Sequence, residues 1–333
     1  KIYFTNYYKR SMLLSQYFLN RKDKFMIKSV PIPTAGVMLG LAALGNLLAP
    51  YSLTCKWICG ILSIILGSML LLKIIRYPKM IHADMTGNPV LGSVAATFFM
   101  AIMQLCTYFA AIFPTISRFI WILAVASHAL LIIWFTKNFM INLELKNVFP
   151  TFFIAYVGII VAAVTSPTFN YADIGVYIFW FGFIAYLLLL FLITYRYIKI
   201  PPAESAVKPL ICIYTAPMSL SLAGYFAVIQ DKNFLMISIM QIAAQFLFFF
   251  ILSLMPKLLK LPFYPSYAAF TFPFVITATA LRLSLNYYER IGVILHDFFQ
   301  YLYYFETCIA TLIVLYVTLH YCSFFYTQFQ NSK

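Results

Sequence analysis

The sequence predicts an all-α integral membrane protein in which ten transmembrane helices form five parallel helical hairpins around a central pore. Composition is the first of three observations behind this expectation. Of 333 residues, 63% are apolar or aromatic and 10% are charged, with a mean hydropathy of +0.90. Soluble domains carry about 25% charged residues, so this chain lacks the polar surface of a water-soluble globule. The second observation is a proline rhythm. Pro33, Pro89, Pro150, Pro209 and Pro265 recur at intervals of 56, 61, 59 and 56 residues, and each opens an apolar stretch that a second one follows. The third is charge sidedness. With the spans placed as below, 18 Lys and Arg fall on the N-terminal side and five (Lys56, Arg118, Lys232, Arg282 and Arg290) on the other. That bias puts both termini in the cytoplasm of a multi-pass cell-membrane protein. The net charge of +14 is read as topology and contact with anionic lipid heads, not as nucleic-acid binding.

Residues 1–29 form a cytoplasmic N-terminal segment. Its apolar patch (Met12, Leu13, Leu14, Tyr17, Phe18, Leu19) precedes Arg21, Lys22, Lys24 and Lys28. That order suits a short interfacial helix or a frayed tail. A single pore domain, 30–326, then holds spans of about 20 residues each, at 33–51, 56–76, 90–113, 118–137, 149–166, 171–195, 208–229, 233–255, 265–286 and 299–325. Residues 327–333 are left as a cytoplasmic tail.

The odd spans carry the prolines. Proline removes a backbone donor and frees a carbonyl, and in a bilayer such backbone persists only where protein or a water-filled cavity satisfies it. The odd spans are therefore expected to form an inner ring. They are also rich in small and hydroxyl residues, among which Thr34, Gly36, Gly40, Thr97 and Thr271, together with Pro217 and Pro273, are candidates to line a pore or to kink a pore helix. A solid core of closely packed helices is the competing reading of those residues. The even spans read as plain lipid-facing helices, such as Phe246 to Leu252. Because each repeat has two spans, all odd helices run the same way. Inverted repeats with alternating access need a different arrangement; parallel copies suit a channel or a uniporter-like conduit.

No nucleotide-binding G-x-x-x-x-G-K-[ST] loop, HExxH or paired-carboxylate motif is present. His82 with Asp84, and His296 with Asp297, lack a recognisable nucleophile. The cysteines (Cys55, Cys59, Cys106, Cys212, Cys308, Cys322) form no CxxC pair. Neither catalysis nor a metal or other cofactor is expected. Glu306, in the tenth span, is the one deep carboxylate. It is a candidate proton site or ion-pair partner of Arg282 or Arg290, with an interfacial structural role as the alternative. A path without fixed carboxylates does not suit a cation. One without central Lys or Arg passes anions weakly held by peripheral charge and by hydroxyl or helix-end donors.

Two stretches carry a resemblance. Pro31-Ile-Pro-Thr-Ala-Gly-Val-Met-Leu-Gly-Leu-Ala-Ala-Leu44 resembles the first helix of the TehA-type tellurite-resistance/dicarboxylate transporter family, which includes plant slow anion channels and malate and sulfite transporters. Ala268-Ala-Phe-Thr-Phe-Pro-Phe274 is similar to that family's ninth helix. Ala35-Gly36 stands where a Phe-Gly pair is usual, which leaves open which first-span residues face the conduit. The resemblance implies a homotrimer of independent pores, each lined by the five odd helices and occluded by a phenylalanine at the position of Phe272. Phe270 and Phe274 take that place if the register differs by two. The expected partners are small inorganic or organic anions and membrane lipids. The expected function is an anion channel for the chloride, nitrate and sulfite class; the alternative is a proton-coupled dicarboxylate (malate-type) or tellurite/sulfite transporter.

Overall fold

A computed structural model describes residues 27–200 and 204–331; nearly all of the segment 1–29 lies outside them. The described residues are helical, without strands. Nine helical stretches among them are long and apolar enough to cross a membrane, and a tenth, Thr34–Leu48, is apolar but has only 15 residues. The expected first span ran to 51. Its helix stops at Leu48, where Pro50 has no amide to continue the hydrogen-bond ladder. A helix of that length reaches about 22 Å, less than the hydrocarbon core of about 30 Å. Lipid does not set its length, since 13 of its residues are buried in protein.

The two classes of span separate as the prolines indicated. In the third, fifth, seventh and ninth spans, 67% to 83% of the central residues are buried; in the five even spans the share is 28% to 39%. The odd helices also break, and they break at comparable depth. The third divides at Ala95 between Pro89–Val94 and Ala96–Phe109. The fifth divides at 157–159 between Thr151–Tyr156 and Ile160–Thr165. In the seventh, a 3₁₀ segment Ser205–Thr215 gives way to the α-helix Ala216–Val228. In the ninth, a 3₁₀ segment Pro265–Phe270 gives way to Phe272–Arg290.

Local chemistry explains each joint. Pro217 and Pro273 lie at the start of the α-helical halves, where a missing amide costs no ladder bond. At the third span, hydroxyls take carbonyls from the ladder: Ser93 donates to Pro89 O (2.7 Å) and Thr97 to Val94 O (2.6 Å). At the fifth, the amides of Val157 and Gly158 both turn to Phe153 O.

The even spans are unbroken along most of their length: Leu53–Arg76, Pro114–Met140 (ending in a π-helical turn), Ala172–Lys199, Phe234–Leu258 and Phe298–Gln330. One detail corrects the sequence reading, which kept proline out of them. The eighth continues through Pro256, in its last turn, where only one bond near the helix end is lost. The last helix runs on to Asn331, through most of the stretch assigned to a tail. Even helices dock through small residues seven apart. Gly60 and Gly67 admit Tyr108 and Met38; Gly175 and Gly182 admit Ser166 and Ile160.

Three hairpins are also clasped at their proline ends. A side chain near the end of the even helix donates to a carbonyl at or just before the start of its odd partner. Lys73 Nζ reaches Val30 O at 2.7 Å, Arg196 Nη2 reaches Lys146 O at 3.2 Å, and Tyr321 Oη reaches Pro265 O at 2.6 Å. The ring closes between the first and ninth spans, where Gly36 faces Ala268 and Gly40 faces Thr271. A Cβ on Gly40 would overlap Thr271 Cβ and Oγ1. Gly40→Val is therefore expected to destabilise the protein by about 1–3 kcal/mol. Gly87→Ala, with open space within 4 Å, is expected to leave the thermal melting of detergent-purified protein unchanged. Equal melting of the two variants would remove the close approach at the ring closure.

Candidate functional site: an apolar cavity inside the ring

The joints of the odd helices surround a cavity of about 70 Å³. Against about 10–15 Å³ needed per water, it has room for a few waters or one small anion stripped of most of its shell. All five odd spans contribute to its wall. The first gives Pro33, Gly36 and Leu39; the third Val90, Val94, Thr97 and Met100; the fifth Phe153, Ile154, Val157 and Gly158. The seventh gives Leu210, Ile213, Ala216, Pro217 and Leu220, and the ninth Ser266, Ala268, Ala269, Phe272 and Pro273. No charged side chain is in this wall. Its two hydroxyls are turned to backbone: Thr97 donates to Val94 O and Ser266 to Ala206 O. Both hydroxyls of the wall are thus spent on the chain itself, and the wall is almost wholly apolar.

Phe272 is in the cavity wall, at the joint between the 3₁₀ and α-helical halves of the ninth span. The residue is the first of its α-helix and is 6% exposed. Thr271, the joint before it, is anchored by its hydroxyl to Gly36 O at 2.9 Å and to Ala268 O at 2.8 Å. Neither rival phenylalanine lines the cavity. Phe270 packs on Tyr267 with centroids 4.8 Å apart, and Phe274 stands edge-on to Phe248 at 5.8 Å.

Of the other candidates, Gly36, Thr97, Pro217 and Pro273 are in the wall; Thr34, Gly40 and Thr271 are not. Thr34 is buried with its hydroxyl unpartnered in the protein, and Gly40 serves the packing against Thr271. Leu39, Met100, Val157, Gly158 and Leu220 complete the wall beside Phe272. Sequence reasoning missed them because nothing distinguishes an apolar lining residue from a core residue except helical phase measured from the joint.

Further from the opening prolines the same helical stripes become more polar, and all but Gln104 of the residues reached are partly exposed. Spacing of three and four residues carries Gly36 and Leu39 on to Asn46, Thr97 and Met100 to Gln104 and Thr107, and Phe272 to Thr279 and Leu283. Asn46 Nδ2 donates to Gln104 Oε1 (2.8 Å) and Thr107 Oγ1 (3.3 Å). Arg282 Nη1 donates to Leu47 O at 3.1 Å. A recess of about 280 Å³ at this end is lined by Phe226, Lys232, Leu283, Asn286, Tyr287 and Arg290.

Glu306 is wholly buried but belongs to the outer layer and is not in the cavity wall. Among the described residues it forms no ion pair with Arg282 or Arg290; the Gln245 amide is its polar neighbour. The site is therefore an uncharged, almost wholly apolar cavity, with basic residues toward both ends of the helices that surround it. Thr97→Val, which removes a hydroxyl already committed to backbone, is expected to change anion flux less than about twofold. A much larger fall would mean that the wall supplies hydrogen bonds to the ion.

A family model described as SLAC1, voltage-dependent anion channel, matches residues 29–322. An uncharacterized transporter of Methanocaldococcus jannaschii is 26% identical over 262 residues, covering 71% of this chain and 76% of that protein.

Proposed function

Because the chain belongs to the SLAC1 voltage-dependent anion channel family, we propose that it conducts small anions of the chloride, nitrate and sulfite class through the cavity, and that Phe272 is the ring that closes it. One observation supports this reading: all five odd spans line one cavity, and Phe272, on a backbone joint, is the aromatic side chain that the ninth span gives to its wall. The mechanism follows from the placement of charge. Arg196 and Lys73 lie toward the proline end, and Lys232, Arg282 and Arg290 toward the other. Cations at the mouths of a low-dielectric conduit raise the local concentration of anions. The apolar wall offers no donor to trap them, so an ion that enters also leaves.

The ring opposes this passage sterically. Phe272 is preceded by a 3₁₀ segment and followed by Pro273, so rotation at Thr271 moves the side chain without breaking an α-helical ladder. The proton-coupled dicarboxylate alternative draws less support, since Glu306, the one buried carboxylate among the described residues, is off the wall. We further propose that the protein is a homotrimer of such conduits in the cell membrane with both termini in the cytoplasm. The 18-to-five bias of Lys and Arg supports that orientation.

The test is anion current through purified protein in bilayers. Phe272→Ala is expected to raise chloride and nitrate current on the order of tenfold or more, because only steric occlusion is removed. Unchanged current, with malate uptake that requires a proton gradient, would replace the occluded channel by a coupled carrier.

A further inference from the structure

Arg196 is a buried cation without a counter-charge. It lies in the last turn of the sixth span and is 4% exposed. The two ion pairs among the described residues are Lys73 with Asp84 and Lys146 with Glu144; neither involves it. The rings of Phe149 and Tyr197 lie 4.6 and 5.0 Å from its guanidinium carbon. Nη2 donates to Lys146 O. Nε and Nη1 have no partner among the described residues, and the neighbouring Tyr197 hydroxyl is likewise buried and unpartnered among them.

Burying an ion is tolerated when its charge and its hydrogen-bonding groups are both met. Here aromatic faces and one carbonyl meet part of that need. The donors left over, two guanidinium nitrogens and a phenol, call for an acceptor, and the uncompensated positive charge favours an anionic one. The place also connects to the conduit. Tyr197 packs edge-on to Tyr214 at 6.1 Å, and Tyr214 packs edge-on to Phe153 at 5.5 Å. Phe153 is in the cavity wall, so the guanidinium stands behind an aromatic layer at the proline end.

We propose that Arg196, with the Tyr197 hydroxyl, holds a small monovalent anion beside the proline-end mouth: a loading site distinct from the Phe272 constriction. This rests on the anion-conducting reading and adds where the ion waits. The near-complete enclosure of Arg196 favours a bare halide or nitrate over a lipid phosphate, whose headgroup brings two bulky substituents.

The experiment reads binding, not current. Protein in neutral phosphatidylcholine is melted in gluconate with increasing bromide, and crystals soaked in bromide are examined by anomalous diffraction. Expected are a bromide-dependent rise in melting temperature and an anomalous peak touching Arg196. Arg196→Lys is the informative variant, because Lys73 shows that a lysine can hold a carbonyl at this position of a hairpin. It is expected to fold, yet to need on the order of tenfold more bromide for the same rise. Tyr197→Phe is expected to show a smaller shift in the same direction. Equal bromide dependence in wild type and Arg196→Lys, no peak at Arg196, or a lipid phosphate occupying the spot would each overturn the assignment. None of these readings depends on whether Phe272→Ala opens the conduit, so the two proposals fail separately.

Discussion

The whole arrangement depends on one constraint: backbone that leaves the α-helix inside a membrane must find its hydrogen bonds in protein. Four of the five odd spans break in mid-membrane, and in hydrocarbon every unsatisfied amide or carbonyl would cost several kcal/mol. The breaks survive because an unbroken helix lies outside each one and because serine and threonine hydroxyls take the freed carbonyls. Ser219 donates to Thr215 O and Thr277 to Pro273 O, and the two hydroxyls meet at 3.1 Å behind the wall. The layering into inner and outer helices thus follows from the prolines, and the cavity follows from the layering. Each half-turn lost at a joint leaves space that neighbouring side chains do not fill.

The clasps extend the same logic to the proline ends. Irregular segments before the odd helices carry carbonyls that no ladder uses, and the even helix of the same hairpin supplies a donor. It is a lysine in the first hairpin, an arginine in the third and a tyrosine in the fifth. The basic residues counted toward membrane sidedness therefore do more than orient the chain. Lys73 is 3% and Arg196 4% exposed, so both charges are withdrawn from solvent. Lys73 is paired with Asp84, whereas Arg196 has no ion pair among the described residues and its field acts in the low-dielectric interior.

Much of this was legible in the sequence because it rests on period and composition. The proline rhythm separated inner from outer helices, and the hydrophobic runs placed the spans to within a few residues. What remained hidden depends on three-dimensional phase. Gly40 and Phe272 carry equal weight in a motif, yet one packs against Thr271 and the other faces the cavity. A threonine in an inner helix suggests a donor to the ion, but Thr97 gives its proton to Val94. Arg196 looked like one more cytoplasmic charge, since sequence counts charges without showing which are enclosed. The end of the first span was misplaced because a helix buried on all sides is not held to bilayer thickness.

The closure between the first and ninth spans bears on how the protein is made. Thr271 donates to Gly36 O and Arg282 to Leu47 O, each across 235 residues of sequence. At about 5–20 residues per second, the ribosome delivers those partners roughly ten to fifty seconds after the first helix has emerged. During that interval the short, glycine-faced first helix packs against its hairpin partner and the third span, while the seam that the ninth span fills stays open. Biogenesis therefore ends with a latch: the last hairpin turns an open palisade into a sealed ring, and quality control has a defined unfinished state to detect.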